Sequence, residues 1–236
     1  MRRCSCRRQP PRSLRVRPFF SRRRHPVAAA RSGVSAPRIS CVDSGQALLG
    51  EGPYWDAGRG VLWWVDIRRG RLKRHMPQAN RNESWPIADM LTCAIPLPGA
   101  ATLIAATRRE LVTIALGAPP QLQPPIATLC EFPGNIRFND AKLDPGGRLW
   151  IGTMDDAEQD TCGRWFRYDP ASGARTEIAA GFGITNGPAF DPANNHVYLT
   201  DSAIRRIYRG TFSRSTAAAI LPPGAISNPI RVSPTE

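Results

Sequence analysis

The stretch Asn135-Ile-Arg-Phe-Asn-Asp-Ala-Lys-Leu-Asp-Pro-Gly-Gly-Arg-Leu-Trp-Ile-Gly-Thr-Met154 decides how the chain is read. It joins a polar segment, Arg137-Phe-Asn139-Asp140, to a turn, Asp144-Pro-Gly-Gly147, and then to a strand-like run from Arg148 to Met154. Proline presets one backbone angle of a turn and glycine accepts positive φ, so the chain can reverse there. Leu149, Trp150 and Ile151 form the short apolar run of a strand buried on both faces. The polar segment ahead of the turn reads as a loop between strands, suited to gripping a polar small molecule.

The same turn and strand recur along the chain. Gly60 to Asp66 follows a turn at Asp56-Ala-Gly-Arg, Ala100 to Thr107 follows Pro98-Gly99, and His196 to Asp201 follows Asp191-Pro-Ala-Asn-Asn195. With Trp63, Ile104, Trp150 and Tyr198 taken as equivalent, the intervals are 41, 46 and 48 residues. A second strand candidate follows each run after a short polar gap: Arg71–His75, Glu110–Ala115, Arg164–Tyr168 and Arg205–Tyr208. A unit of turn, buried strand, hairpin and outer strand every 40 to 50 residues is the signature of propeller blades. The segments Pro119–Pro125 and Ala171–Gly173 read as loops between strands, and Ser215–Ala219 is the nearest approach to a helix, too short to count. The recurring Trp and Tyr positions predict packing between radially arranged sheets. Asp66 and Asp201 hold like places after their strands, which predicts a shared hydrogen-bonding role.

The chain has 236 residues and a net charge of +13, but the charge is not spread evenly. Residues 1–38 carry 12 Arg with no Lys and no acid, leaving twenty basic against nineteen acidic residues in 39–236. The basicity therefore belongs to a leader, and the remainder gives no ground for a nucleic-acid-binding domain. Prolines and like charges favour a disordered leader; a transit peptide and an RNA-binding arm are the other readings. No stretch is apolar enough for a membrane span. The six cysteines lack zinc spacing and His25, His75 and His196 are scattered, which predicts reduced thiols in a cytoplasmic protein.

Five separated motifs then occur in one order: Leu49-Gly-Glu51-Gly-Pro-Tyr-Trp-Asp56, Trp64-Val-Asp-Ile67, Arg137-Phe-Asn-Asp-Ala-Lys142, Gly152-Thr-Met-Asp155 and Thr185-Asn186-Gly187. Together they resemble the regucalcin (senescence marker protein), gluconolactonase and luciferin-regenerating enzyme family over roughly residues 43–212. The resemblance implies an all-β, six-bladed β-propeller type fold with one divalent metal ion (Ca, Zn, Mn or Mg) at a mouth of its channel. It also implies metal-dependent hydrolysis of a small sugar lactone. By the same resemblance Glu51 and Asn186 are metal residues, and Arg137 and Asn139 contact the sugar. Alone, Glu51 would be a turn acid, Asn186 a turn residue and Arg137 a surface ion-pair partner; their ordered occurrence gives them the site roles.

The chain departs from the family pattern at three places. A Pro-Asp-Gly motif, whose aspartate would be the third metal residue and the proton-transfer group, does not occur, so no catalytic residue is assigned. Gly224-Ala-Ile-Ser-Asn228 resembles the hairpin that precedes that motif. Ala141 stands where the family has Gly, so the position needs no positive φ or its loop is shifted. The acidic residue after Gly-Thr-Met is ambiguous among Asp155, Asp156 and Glu158. The expected organisation is an Arg-rich leader over 1–38 and an incomplete propeller of about four blades over 39–236, with impaired hydrolysis and exposed strand edges. A non-catalytic calcium- or ligand-binding propeller and a protein-interaction scaffold are the alternatives. The sugar and the oligomeric state are left open.

Overall fold

In the computed structural model, residues 39–212 are described, apart from 192 and 194, together with the backbone strand at 227–231. The expectations for the 1–38 leader and for Ser215–Ala219 lie outside the described residues. The turn at Asp144 reverses the chain as expected, and the aspartate itself organises it. Its buried carboxylate accepts from the backbone N–H groups of Gly146 (2.8 Å) and Arg148 (3.1 Å), from Arg148 Nε (2.9 Å) and from Trp150 Nε1 (3.1 Å). One side chain thereby closes the turn and orients the first large residue of the following strand.

Among the described residues four four-stranded antiparallel sheets form, each meandering in sequence order. The first blade holds β1 (Gly50–Asp56), β2 (Val61–Asp66), β3 (Arg71–Met76) and β4 (Arg81–Pro86). The second holds β5 (Cys93–Pro96), β6 (Thr102–Ala106), β7 (Leu111–Ala115) and β8 (Gln121–Leu122). The third holds β9 (Ile136–Leu143), β10 (Leu149–Asp155), β11 (Gly163–Tyr168) and β12 (Arg175–Phe182). The fourth holds β13 (Thr185–Asp191), β14 (His196–Asp201), β15 (Arg206–Thr211) and β16 (Ser227–Arg231). The repeated runs are thus the second strands, and the candidates after them are the third. The first strands lie innermost, where β9 adjoins β13, β5 and β1. This is a four-blade β-propeller arrangement.

Two expectations need correction. Arg137-Phe-Asn-Asp140 is not a loop but part of inner strand β9. Its polar composition hides the strand because the register shifts here, with Asn139 and Asp140 together opposite Gly152. The Pro119–Pro125 segment contains the two-residue strand β8, which a proline-flanked run of this length cannot announce. Ala171–Gly173 is a turn, as read, and Ala141 has no positive φ.

The blades pack face to face through three apolar layers. Trp63, Val65 and Leu72 meet Leu91, Leu103 and Ile114 between the first and second sheets. Ile95, Ile104 and Leu111 meet Phe138, Leu149 and Ile151 between the second and third. Trp150, Trp165 and Phe182 meet Val197 and Leu199 between the third and fourth. Alternation along each strand supplies both faces of the two middle sheets. In β2 the opposite face, Leu62 and Trp64, is only half-buried, and in β14 the same holds for Tyr198 and Thr200. On the β2 side Lys73 lies over the Trp64 ring at 5.4 Å and pairs with Asp43 at 2.5 Å, so the segment entering the first blade covers part of that face. His75 is satisfied by Asn82, with Nδ1 and Oδ1 2.7 Å apart.

Trp150 is fully buried and touches Phe190 edge-on at 5.5 Å. Trp150→Ala is expected to cost about 3–5 kcal/mol, the range for removing a buried aromatic side chain, measured by denaturant unfolding.

Candidate functional site

Glu51 is the second residue of β1 and Asn186 the second of β13. They share one register position. Glu51 faces Val65, one residue short of Asp66, and Asn186 faces Thr200, one short of Asp201. In both strands the next two residues are Gly-Pro, and the register shifts across them. Gly52 (φ 59°) and Gly187 (φ 91°) supply the left-handed conformation these bulges use. Arg137 is likewise the second residue of β9. All three therefore lie at the same mouth of the blades.

A chain of side-chain hydrogen bonds crosses this mouth. Arg137 Nη1 donates to Asn139 Oδ1 (2.7 Å), and Asn139 Nδ2 donates to Thr185 O (2.7 Å) and Asn186 Oδ1 (3.3 Å). Asn186 Nδ2 then donates to Ser202 Oγ (2.8 Å). Three of the four expected site residues are thus joined directly. Glu51 is not joined to them by a hydrogen bond among the described residues.

The connection runs through Asp140, which the sequence reading did not assign. Its carboxylate accepts from Ala141 N (2.8 Å) and from Gly187 N (3.0 Å), the residue after Asn186. With Glu51 it lines a cavity of about 80 Å³ between the inner strands of the first three blades, together with Tyr54, Cys93 and Lys142. Burial pushes the Asp140 carboxyl up to about 6, against the two backbone N–H bonds and Lys142; the Glu51 charge adds to the rise. Burial also pushes the Cys93 thiol up to about 12, which makes it an inert wall.

A second unassigned residue, Asp156, holds the rim. Arg137 Nε reaches its Oδ1 at 2.6 Å, Arg68 Nη1 at 2.8 Å, and Arg108 Nη1 reaches Oδ2 at 3.1 Å. Burial would raise this carboxyl, but hydrogen bonds from Arg68, Arg137 and Arg108 prevail and hold it at about 2. Asp155 instead accepts backbone N–H bonds from Ala157, Gln159 and Asp160 in its own loop. Of the three acids ambiguous after Gly-Thr-Met, Asp155 forms its loop, Asp156 is the arginine partner, and Glu158 acts on Arg137 only through its charge. Asp140 had a usable signal, its place beside Asn139 in the quoted motif; nothing in the sequence separates Asp156 from its neighbours.

Among the described residues no three His, Cys, Asp or Glu side chains cluster as a metal cage. What the mouth offers instead is two carboxylates, Glu51 and Asp140, beside the amide of Asn186, all hard oxygen donors.

The profile of the SMP-30/Gluconolactonase/LRE-like region matches residues 49–220. The chain belongs to that family. Among its relatives, pentonolactonase XacC of Haloferax volcanii is 33% identical over 171 residues, covering 72% of this chain and 55% of its own length. The 6-deoxy-6-sulfogluconolactonase of Pseudomonas putida is 31% identical over 172 residues, covering 72% and 57%. The chain spans little more than half the length of these relatives. Among solved structures, a luciferin-regenerating enzyme superposes with a TM-score of 0.67 at 24% identity, over 73% of this chain and 58% of that one. Regucalcin of Agrobacterium tumefaciens, described as a calcium-binding protein, gives a TM-score of 0.65 at 24% identity, over 73% and 57%. Both of these relatives are lactonases by name, and the structural likeness shows the same fold.

The raised Asp140 carboxyl sets a pH dependence. Below pH ~4 an aspartate is protonated in both folded and unfolded chains; between about 4 and 6 only the unfolded chain has lost the proton, so raising the pH favours unfolding. The stability of the wild type relative to Asp140→Asn is therefore expected to fall by about 1–2 kcal/mol from pH 4 to pH 7 in metal-free buffer, read from paired denaturation curves.

Proposed function

We propose that the protein hydrolyses a small sugar lactone at the mouth formed by Glu51, Asp140, Asn139, Arg137 and Asn186, with the help of one divalent cation. The observation that supports this most is the matched register of Glu51 and Asn186, with Asp140 beside the first and bonded to the residue after the second. Glu51 and Asn186 would hold the cation, Ca, Mg, Mn or Zn, as hard oxygen donors. When bound, it supplies Lewis-acid polarisation of the lactone carbonyl and a more acidic water.

The chain's own groups supply the rest. Asn139 and Arg137 stand at successive points of the hydrogen-bond chain, and an amide that both donates and accepts can orient a sugar hydroxyl. Asp140 takes the proton from the attacking water, a role suited to a carboxyl raised to about 6. Water oxygen adds to the carbonyl carbon, the ring C–O bond breaks, and the proton passes to the released ring oxygen, giving the open hydroxy acid. This assigns to Asp140 the proton transfer that the family pattern gives to a Pro-Asp-Gly aspartate. Among the described residues no helix is long and apolar enough to cross a membrane.

Calcium binding without hydrolysis is the second reading, favoured by the description of the Agrobacterium relative as calcium-binding. The two separate in one experiment on the full chain, with gluconolactone and pentonolactones assayed under added Ca²⁺, Mg²⁺, Mn²⁺ or Zn²⁺. Metal-dependent ring opening is expected, reduced at least about hundredfold in Glu51→Gln with little change in Tm. Full turnover in the double variant Glu51→Gln/Asn186→Ala would overturn the site; Ca²⁺ binding with no ring opening would favour the second reading.

A further inference from the structure

The rim gathers three guanidiniums on one carboxylate. Arg68 lies in the 3-10 turn Ile67–Arg69 after β2, Arg108 in the turn between β6 and β7, and Arg137 in β9, so three blades each send a guanidinium to the single carboxylate of Asp156. Among the described residues Asp156 is the only carboxylate paired with any of the three. Glu158 acts on Arg137 only at a distance. One carboxylate cannot take up all the donors of three guanidiniums.

The three arginines are not equally placed. The Arg137 side chain is 2% exposed and serves the hydrogen-bond chain to Asn139 and Asn186, whereas the Arg68 and Arg108 side chains are each 35% exposed. Each outer arginine reaches Asp156 through Nη1, and a guanidinium carries five donors in a planar fork. Neighbouring Arg69 belongs to a different arrangement, turned to Asp66 at 3.5 Å. Arg68 and Arg108 therefore form a fixed, half-exposed cationic pair at the Arg137 end of the Arg137–Asn139–Asn186 chain, away from Asn186.

We propose that Arg68 and Arg108 form a subsite for an anionic substituent, such as a phosphate or sulfonate, on the end of the sugar remote from the lactone carbonyl. This rests on the lactonase reading for the identity of the sugar but not for the anion preference itself. A tetrahedral anion bridging the two guanidiniums would receive charge-assisted hydrogen bonds from both while Asp156 keeps them oriented.

The test uses probes that no lactonase can open. Binding of glucitol, glucitol 6-phosphate and inorganic phosphate to the full chain is measured by calorimetry, at low and at physiological salt, alongside hydrolysis of gluconolactone and its 6-phosphate. Glucitol 6-phosphate is expected to bind at least about tenfold tighter than glucitol, as one or two charge-assisted bonds would give, with the difference shrinking as salt rises. Arg68→Gln/Arg108→Gln should abolish the difference, and Arg68→Lys/Arg108→Lys, which keeps the charge, should retain part of it. Should the Gln double variant fail to fold, each single Gln variant is expected to lose part of the preference. Equal binding of the two polyols, or a preference unchanged in the Gln variants, would overturn the proposal. Inorganic phosphate binding as tightly as glucitol 6-phosphate would overturn the sugar-linked subsite. Absence of hydrolysis of either lactone, with the binding preference intact, would sink the lactonase reading alone.

Discussion

A carboxylate buried at the end of the second strand fixes where the inner strand begins. Asp66 accepts the N–H groups of Leu48 and Leu49, both at 3.2 Å, and Asp201 accepts those of Gly183 (2.9 Å) and Ile184 (3.2 Å). Backbone donors in this position have no ladder partner, and the buried carboxylates of Asp66 and Asp201 would themselves be left unpaired without them, which is costly. Because the anchored residues precede Glu51 and Asn186 by three and two positions, the anchors dictate the height at which both side chains leave their blades. The correspondence of Glu51 with Asn186 is thus a consequence of backbone hydrogen bonding.

The apolar layers between blades do the complementary work. They hold neighbouring sheets at fixed separation, and close approaches between sheets are guarded by small residues. A Cβ at Gly152 would come within 2.3 Å of Thr185 Oγ1, which itself donates to Thr153 O at 3.1 Å. The junction of third and fourth blades therefore depends on the absence of a side chain at one position. It is across this junction that Asn139 reaches Thr185 O and Asn186. Site precision here is borrowed from packing that has no chemistry of its own.

Much of the fold was legible because it repeats. The runs at Trp63, Ile104, Trp150 and Tyr198 are second strands, and the shared role expected of Asp66 and Asp201 is the anchor just described. Turn residues and apolar alternation are local signals, and they survive in a sequence read alone. Inner strand β9 was misread because two polar residues opposite one partner break the alternation on which strand recognition depends. The site was legible in part. Glu51, Arg137, Asn139 and Asn186 came from motif order, and the structure brings the last three into one hydrogen-bond chain. Asp140 and Asp156 were not assigned, since their importance lies in what surrounds them: a desolvated cavity for one and arginines from three separate blades for the other. Charge environment of that kind arises only when distant segments meet.

The arginine in β9 has one further effect. A guanidinium can give hydrogen bonds but never take them, and its charge does not switch off in the ordinary pH range. The amide it meets must present oxygen, which leaves nitrogen for the next amide; that one in turn presents oxygen and gives its nitrogen to the serine hydroxyl. Side-chain amides are ordinarily ambidextrous. Here a permanent cation imposes a single handedness on two of them in succession, so the row is polarised in one direction and offers an incoming molecule one fixed pattern of donors and acceptors.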